Sequence, residues 1–163
     1  MEYNNRLNRT LKKLDSAPSF LRHWLRNRAI GSVVPFVGTA GIQFKKMSCE
    51  ELIIEIPNRK KVQNHIQQVH AAASVLLAET ASGMIVGMNI PDDKLPLMKH
   101  LSAKYIKRST GAQRAVATLS PQQIEQIRTM DKGEVNVPVQ LVDSTGTEVV
   151  IVDMLWAWVL KKR

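Results

Sequence analysis

The stretch NHIQQVHAAASVLLAETASGMIVGM, Asn64 to Met88, decides the fold, because it reads as one long apolar helix with a single carboxylate in its middle. Glu79 is the only Asp, Glu, Lys, Arg or His between Ala71 and Pro91. On a 3.6-residue period its neighbours one turn away are Ala72, Val75, Leu76, Ser82, Gly83 and Val86, and the opposite side, Ser74, Leu77, Ala81 and Ile85, is hardly more polar. A helix apolar all round is a buried helix. An unpaired carboxylate there costs several kcal/mol or takes a raised pKa, so Glu79 needs either a basic partner from a strand or a chemical use.

Working outward, the helix is expected to start between Gln68 and Ala72 and to stop near Met88 to Pro91, where Asn89 and Pro91 are stop signals. Before it, Glu50 to Pro57 alternates as a half-buried strand and Phe36 to Lys46 reads as extended, after a turn at Gly31 to Pro35. The first residues give two short amphipathic helices, one on Leu7, Leu11 and Leu14 and one on Phe20, Leu21, Trp24 and Leu25, with Ser16 to Ser19 as break and new cap. Beyond Pro96 the pattern becomes β-ribbon. Leu97 to Lys107 and Gln113 to Leu119 are strands about a turn at Gly111, Pro121 to Met130 is a short helix, and Glu134 to Val142 and Thr147 to Leu160 are strands about a turn at Gly146. The last strand is apolar on both faces, which asks for cover on both: the long helix on one, the N-terminal helices or another subunit on the other.

Length and composition fit one domain. The chain has 163 residues, 44% of them hydrophobic, and no linker or low-complexity tract divides it. No stretch reads as a membrane span, the start lacks the apolar core of a signal peptide, and the one cysteine, Cys49, cannot close an intramolecular disulfide; a cytoplasmic setting is the default expectation. The net charge of +9 suits a polyanion, but aromatics are only 5% and do not interleave with the basic clusters, among them the tail Lys161 to Arg163, so nucleic acid is not the expected partner. The histidines show no metal spacing with Cys49 or with paired acids, and no metal is expected.

The element order, together with Asn64, His70 six residues later and Glu79 nine after that, resembles the hotdog fold, and more narrowly the acyl-coenzyme A thioesterases of the phenylacetate-pathway type and a thioesterase-like branch of that superfamily. The resemblance covers about residues 34–160, with 1–33 as a helical extension. It implies an α+β fold in which a six-stranded, mostly antiparallel sheet wraps a long central helix. Tyr105-Ile-Lys107-Arg108 and the Gly111 turn match the family's strand, basic residue and glycine turn. Two departures stand out: Ala71 and Ala72 replace the usual glycines after the histidine, and of the positions one turn past the acid only Ser82 could hold water.

The resemblance implies a thioester chemistry for these residues. The first amides of the helix, at Ala71 and Ala72, are expected to point outward and polarise a thioester carbonyl, while Glu79 is the candidate general base or nucleophile. Eight residues at 1.5 Å each place them about 12 Å apart, so one subunit must supply the amide and another the acid. A homodimer is therefore expected, with a tetramer left open. Asn64 either orients the carbonyl or water or caps its loop, and His70 either hydrogen-bonds substrate or caps the helix. Lys107 and Arg108, beside Gly111, are candidates for the phosphates of coenzyme A, against a merely solvated surface. No cofactor is implied, since coenzyme A belongs to the substrate. The rival class is a non-catalytic protein that binds acyl-coenzyme A.

Overall fold

The computed structural model describes residues 3–161, so Lys162 and Arg163 of the basic tail lie outside the described residues. Three helices come first: α1 (Arg6–Asp15), α2 (Ser19–Val33) and α3 (Pro35–Ala40). Asn5 caps α1 by accepting from the Asn8 amide, whereas α2 starts at Ser19 without a side-chain cap. The expected turn and extended segment over residues 31–42 are instead the end of α2 and all of α3. Pro35 opens α3 with φ already set for a helix, and Gly41, at φ 68°, closes it in the left-handed region that glycine takes without steric cost.

The strands β1 (Gln43–Met47) and β2 (Glu51–Ile56) follow, then the central helix α4 (Ala71–Asn89), and then β3 (Lys94–Tyr105), β4 (Gln113–Thr118), helix α5 (Pro121–Thr129), β5 (Gly133–Asn136), β6 (Val139–Asp143) and β7 (Glu148–Leu160). All pair antiparallel in the order β1-β2-β4-β6-β7-β3, and β5 pairs with the far half of β7. The sheet has seven strands rather than six because the expected strand over 134–142 breaks at Pro138, which has no N–H to give a ladder; its halves meet different lengths of β7.

The core lies between α4 and the inner sheet face. Leu77, Ala78, Ala81 and Ile85 are fully buried against a floor that includes Leu52, Ile54, Ala115, Ala117, Leu141 and Met154. The paired small residues Ala115 and Ala117 leave room for a helix backbone. By length and composition α4 could cross a membrane, but 61% of its most apolar window is buried inside the molecule, which is the signature of a core helix. Its end is satisfied internally: the Asn89 amide donates to the carbonyls of Ile85 and Cys49 and its oxygen accepts from Arg128.

Two expectations about burial are corrected. The helix is not buried all round, since Ala71 and Ala72 are exposed and Val75, Glu79, Gly83 and Met84 are half-buried. The N-terminal helices do not cover β7: α1 packs on α2 and α4, and α2 on α3 and β1. The outer row Leu95, Leu97, Ile151 and Val159 on β3 and β7 is therefore 42–49% exposed.

Candidate active site

His70 is the N-cap of α4, and its Nδ1 accepts the Ala72 amide at 3.1 Å. That ring nitrogen must carry a lone pair, which puts the proton on Nε2. The His70 carbonyl takes the amides of Ala73 and Ser74, at 2.8 and 3.1 Å. Of the two amides expected to be free, Ala72 is thus occupied by the cap, and only the Ala71 N–H lacks a partner among the described residues. A helix start has more donors than its own carbonyls can satisfy; here a side chain consumes one of them.

Asn64 closes a tight loop. Its side-chain oxygen accepts the amides of Ile66 and Gln68, both at 3.1 Å, and Gln67 takes a positive φ of 60° inside that loop. The Asn64 oxygen is therefore spent on the backbone, while its amide group makes no bond among the described residues.

The helix start borders a pocket of about 190 Å³ whose lining includes Asn64, Ala71, Tyr105, Lys107, Arg108 and Gln113. The structure thus brings Asn64, Ala71, Lys107 and Arg108 to one place. Lys107 and Arg108 are exposed and form no ion pair among the described residues. Gly111 does not line the pocket; it builds the loop that presents the two cations. At φ 69°, a Cβ on it would lie 2.5 Å from the Ser144 hydroxyl. Ser144 donates to the Thr110 carbonyl, and Asp143 accepts the Thr110 amide at 2.8 Å, tying this loop to the β6–β7 turn. Burial pushes the Asp143 carboxyl up, but the Thr145 hydroxyl and the amides of Thr110, Thr145 and Thr147 together outweigh it and hold Asp143 below its ordinary value.

Three residues by the pocket were not assigned to the site from the sequence, although Tyr105 belongs to the strand that matched the family. The Tyr105 hydroxyl donates to the Ala71 carbonyl at 2.7 Å and pins the helix start to the end of β3. Ser109 and Gln113 line the same pocket and are buried, and the Ser109 hydroxyl and Gln113 Oε1 have no hydrogen-bond partner among the described residues. Buried polar atoms left without partners are uncommon and mark these two positions beside the pocket. The one sequence signal for Gln113 was a polar residue opening an otherwise apolar inner row, Gln113, Ala115, Ala117.

Glu79 sits two turns along α4 from this pocket. Burial pushes its carboxyl above the ordinary value, opposed more weakly by the neighbouring Thr80 hydroxyl. No cation pairs with it among the described residues, so the buried ion pair that was its alternative explanation is not found. The Ser82 hydroxyl, expected to hold water beside it, has its hydrogen bonds within the chain. The Ser82 side chain is fully buried, donates back to the carbonyls of Ala78 and Glu79, and accepts the Trp156 indole N–H at 3.0 Å. Gly83 makes that possible, since a Cβ there would lie 2.7 Å from the Trp156 ring.

A family model described as "Domain of unknown function (DUF4442)" matches residues 22–159. The chain belongs to the DUF4442 family. No curated protein matches it. Among solved structures this DUF4442 chain is similar to a Pseudomonas aeruginosa protein of unknown function called a "Probable Thioesterase", at 22% identity and TM-score 0.74 over 84% of this chain and 95% of that one. It is also similar to a thioesterase from Haemophilus influenzae, at 13% identity and TM-score 0.63 over 82% and 90% of the two chains. A mutant thioesterase from Pseudomonas aeruginosa aligns at 18% identity and TM-score 0.63 over 90% and 97%. At such identities the likeness establishes the fold, and this DUF4442 member has the hotdog fold of those thioesterases.

Proposed function

We propose that this protein is a thioesterase that hydrolyses an apolar acyl group from coenzyme A. The observation that carries the reading is Glu79: the only ionisable side chain on the central helix, half-buried, without a cation partner among the described residues, its carboxyl pushed up by burial. Such a group holds a proton more tightly than an ordinary carboxylate, which suits it to take one from water. As general base, Glu79 takes a proton from water as the water oxygen attacks the thioester carbonyl. The oxyanion that forms is held by the Ala71 N–H, and collapse of the tetrahedral intermediate breaks the C–S bond and releases the thiolate, which is protonated to free coenzyme A. As nucleophile instead, Glu79 attacks the carbonyl, the C–S bond breaks to release the thiolate, and water opens the resulting anhydride to the free acid and the regenerated carboxylate.

Because α4 separates the Ala71 amide from Glu79 by about 12 Å, the two act on one carbonyl only across a subunit interface, which gives a homodimer with two sites. Support comes from β3: its outer edge has no strand partner among the described residues, which leaves it open to pairing with a second copy. Lys107 and Arg108, exposed at the pocket, then hold coenzyme A phosphate.

One observation favours the rival, a protein that binds acyl-coenzyme A without cleaving it: His70 occupies the Ala72 amide, which leaves a single backbone donor for an oxyanion. Free-thiol release from a panel of short, long and aromatic acyl-coenzyme A thioesters decides between them. Wild type should turn over at least one member, and the nearly isosteric Glu79→Gln should lose about 100-fold or more in kcat. Binding of the panel with no turnover by either protein would establish the rival.

A further inference from the structure

Between Asp15 and Glu50 the chain has no acidic residue but carries Arg22, Arg26, Arg28, Lys45 and Lys46. The same segment exposes large apolar side chains: Phe20 is 80% exposed, Trp24 58% and Leu21 39%. Phe20 and Trp24 stand one turn apart on α2, and Arg28 one turn further stacks its guanidinium over the Trp24 ring, 5.7 Å from its centre. Arg26 and Ile30, buried, mark the opposite side on which α2 packs. Val33 projects from a different side of the helix and does not join this surface.

Next to Trp24 lies a groove of about 680 Å³ between α2, α3 and β1, lined among others by Trp24, Leu25, Arg28, Gly38, Ile42 and Arg59, with no carboxylate in its lining. Arg59 lies over the backbone of Gly41, where a Cβ would fall 1.6 Å from its Nη2. Its bonds there, to the carbonyls of Ala40 and Gly41 at 3.4 and 3.3 Å, are long and leave donors free. Neither Arg28 nor Arg59 has a carboxylate partner among the described residues. The exposed Lys60 and Lys61 follow Arg59 in the chain.

We propose that this face docks on an anionic lipid bilayer, with Phe20 and Trp24 inserted among the headgroups and Arg28 and Arg59 holding lipid phosphate at the groove. Aromatic side chains prefer that interface, and clustered arginine and lysine are drawn to its negative surface potential. A second copy of the chain fits this surface less well, because a two-fold contact would set acid-free, cationic segments against each other. The bilayer would place a hydrolase where amphiphilic acyl substrates concentrate, but the docking does not depend on that activity.

The test is binding of the whole protein to vesicles of phosphatidylcholine with and without about a third phosphatidylglycerol, a content that gives a strongly negative surface. Trp24 is the natural reporter, since the other two tryptophans, Trp156 and Trp158, are only 7% and 1% exposed. Expected are sedimentation with the anionic vesicles, a blue shift of the emission, and release as salt is raised. Both the double variant Phe20→Ser with Trp24→Ser and the double variant Arg28→Gln with Arg59→Gln should weaken binding about tenfold or more, with unchanged circular dichroism. The proposal is overturned if anionic and neutral vesicles bind alike or not at all. It is equally overturned if millimolar inorganic phosphate displaces the protein at constant ionic strength, or if light scattering shows that Phe20 and Trp24 instead drive self-association without lipid.

Discussion

At the scale of single residues, Glu79 links chemistry to stability. Its folded carboxyl lies above the ordinary value, so the folded chain holds the proton more tightly than the unfolded one. The associated stability is fully present below the unfolded pKa and is lost as pH rises through the raised one. Glu79→Gln, which cannot ionise, should therefore melt above wild type at pH 8, and the gap should close in acid; scanning calorimetry at several pH values would contradict this by showing a constant gap. In wild type, kcat/KM should fall with acid along a limb lying above the usual carboxylate range. Asp143 behaves oppositely: its carboxyl is held low, so its contribution is present above the unfolded pKa and lost as pH falls through the folded one. Asp143→Ala strands the amides of Thr110, Thr145 and Thr147 and should cost about 1–3 kcal/mol in chemical denaturation, while raising KM for coenzyme A thioesters through the loosened Lys107–Arg108 loop.

The element scale shows what the chain reveals locally and what it conceals. The bounds of α4 were legible because each is set by signals within a few residues of it, a capping residue and an alanine-rich run at the start and Asn89 and Pro91 at the end. The setting of Glu79, a half-buried carboxylate with no cation partner among the described residues, was legible for the same reason: one charge in an apolar helix. The work of Ser82 was not, because its partner Trp156 stands 74 residues away and is delivered by strand pairing. Tyr105 and Gln113 reach the helix start in the same long-range way. The missed α3 and the split strand at Pro138 reflect local signals given too little weight, proline at a helix start and proline inside a strand. Gly83→Ala tests the helix-to-strand fit, since the added methyl meets the Trp156 ring; a loss of about 1–3 kcal/mol is expected, and unchanged stability would mean the ring moves freely.

For the whole molecule, the proposed function requires Glu79 of one chain and the Ala71 amide of another to form one site. Ala71→Pro removes that N–H at the first helical position, where proline is best tolerated, and His70 already has the extended backbone, φ −61° and ψ 143°, that precedes a proline. Ala71→Pro and Glu79→Gln should each be inactive as homodimers. The deciding measurement is thioester hydrolysis by the two variants co-expressed in equal amounts. Half of the dimers are then mixed and each holds one intact site of two, so activity should return to about a quarter of wild type. A mixture as inactive as either parent would contradict the shared site.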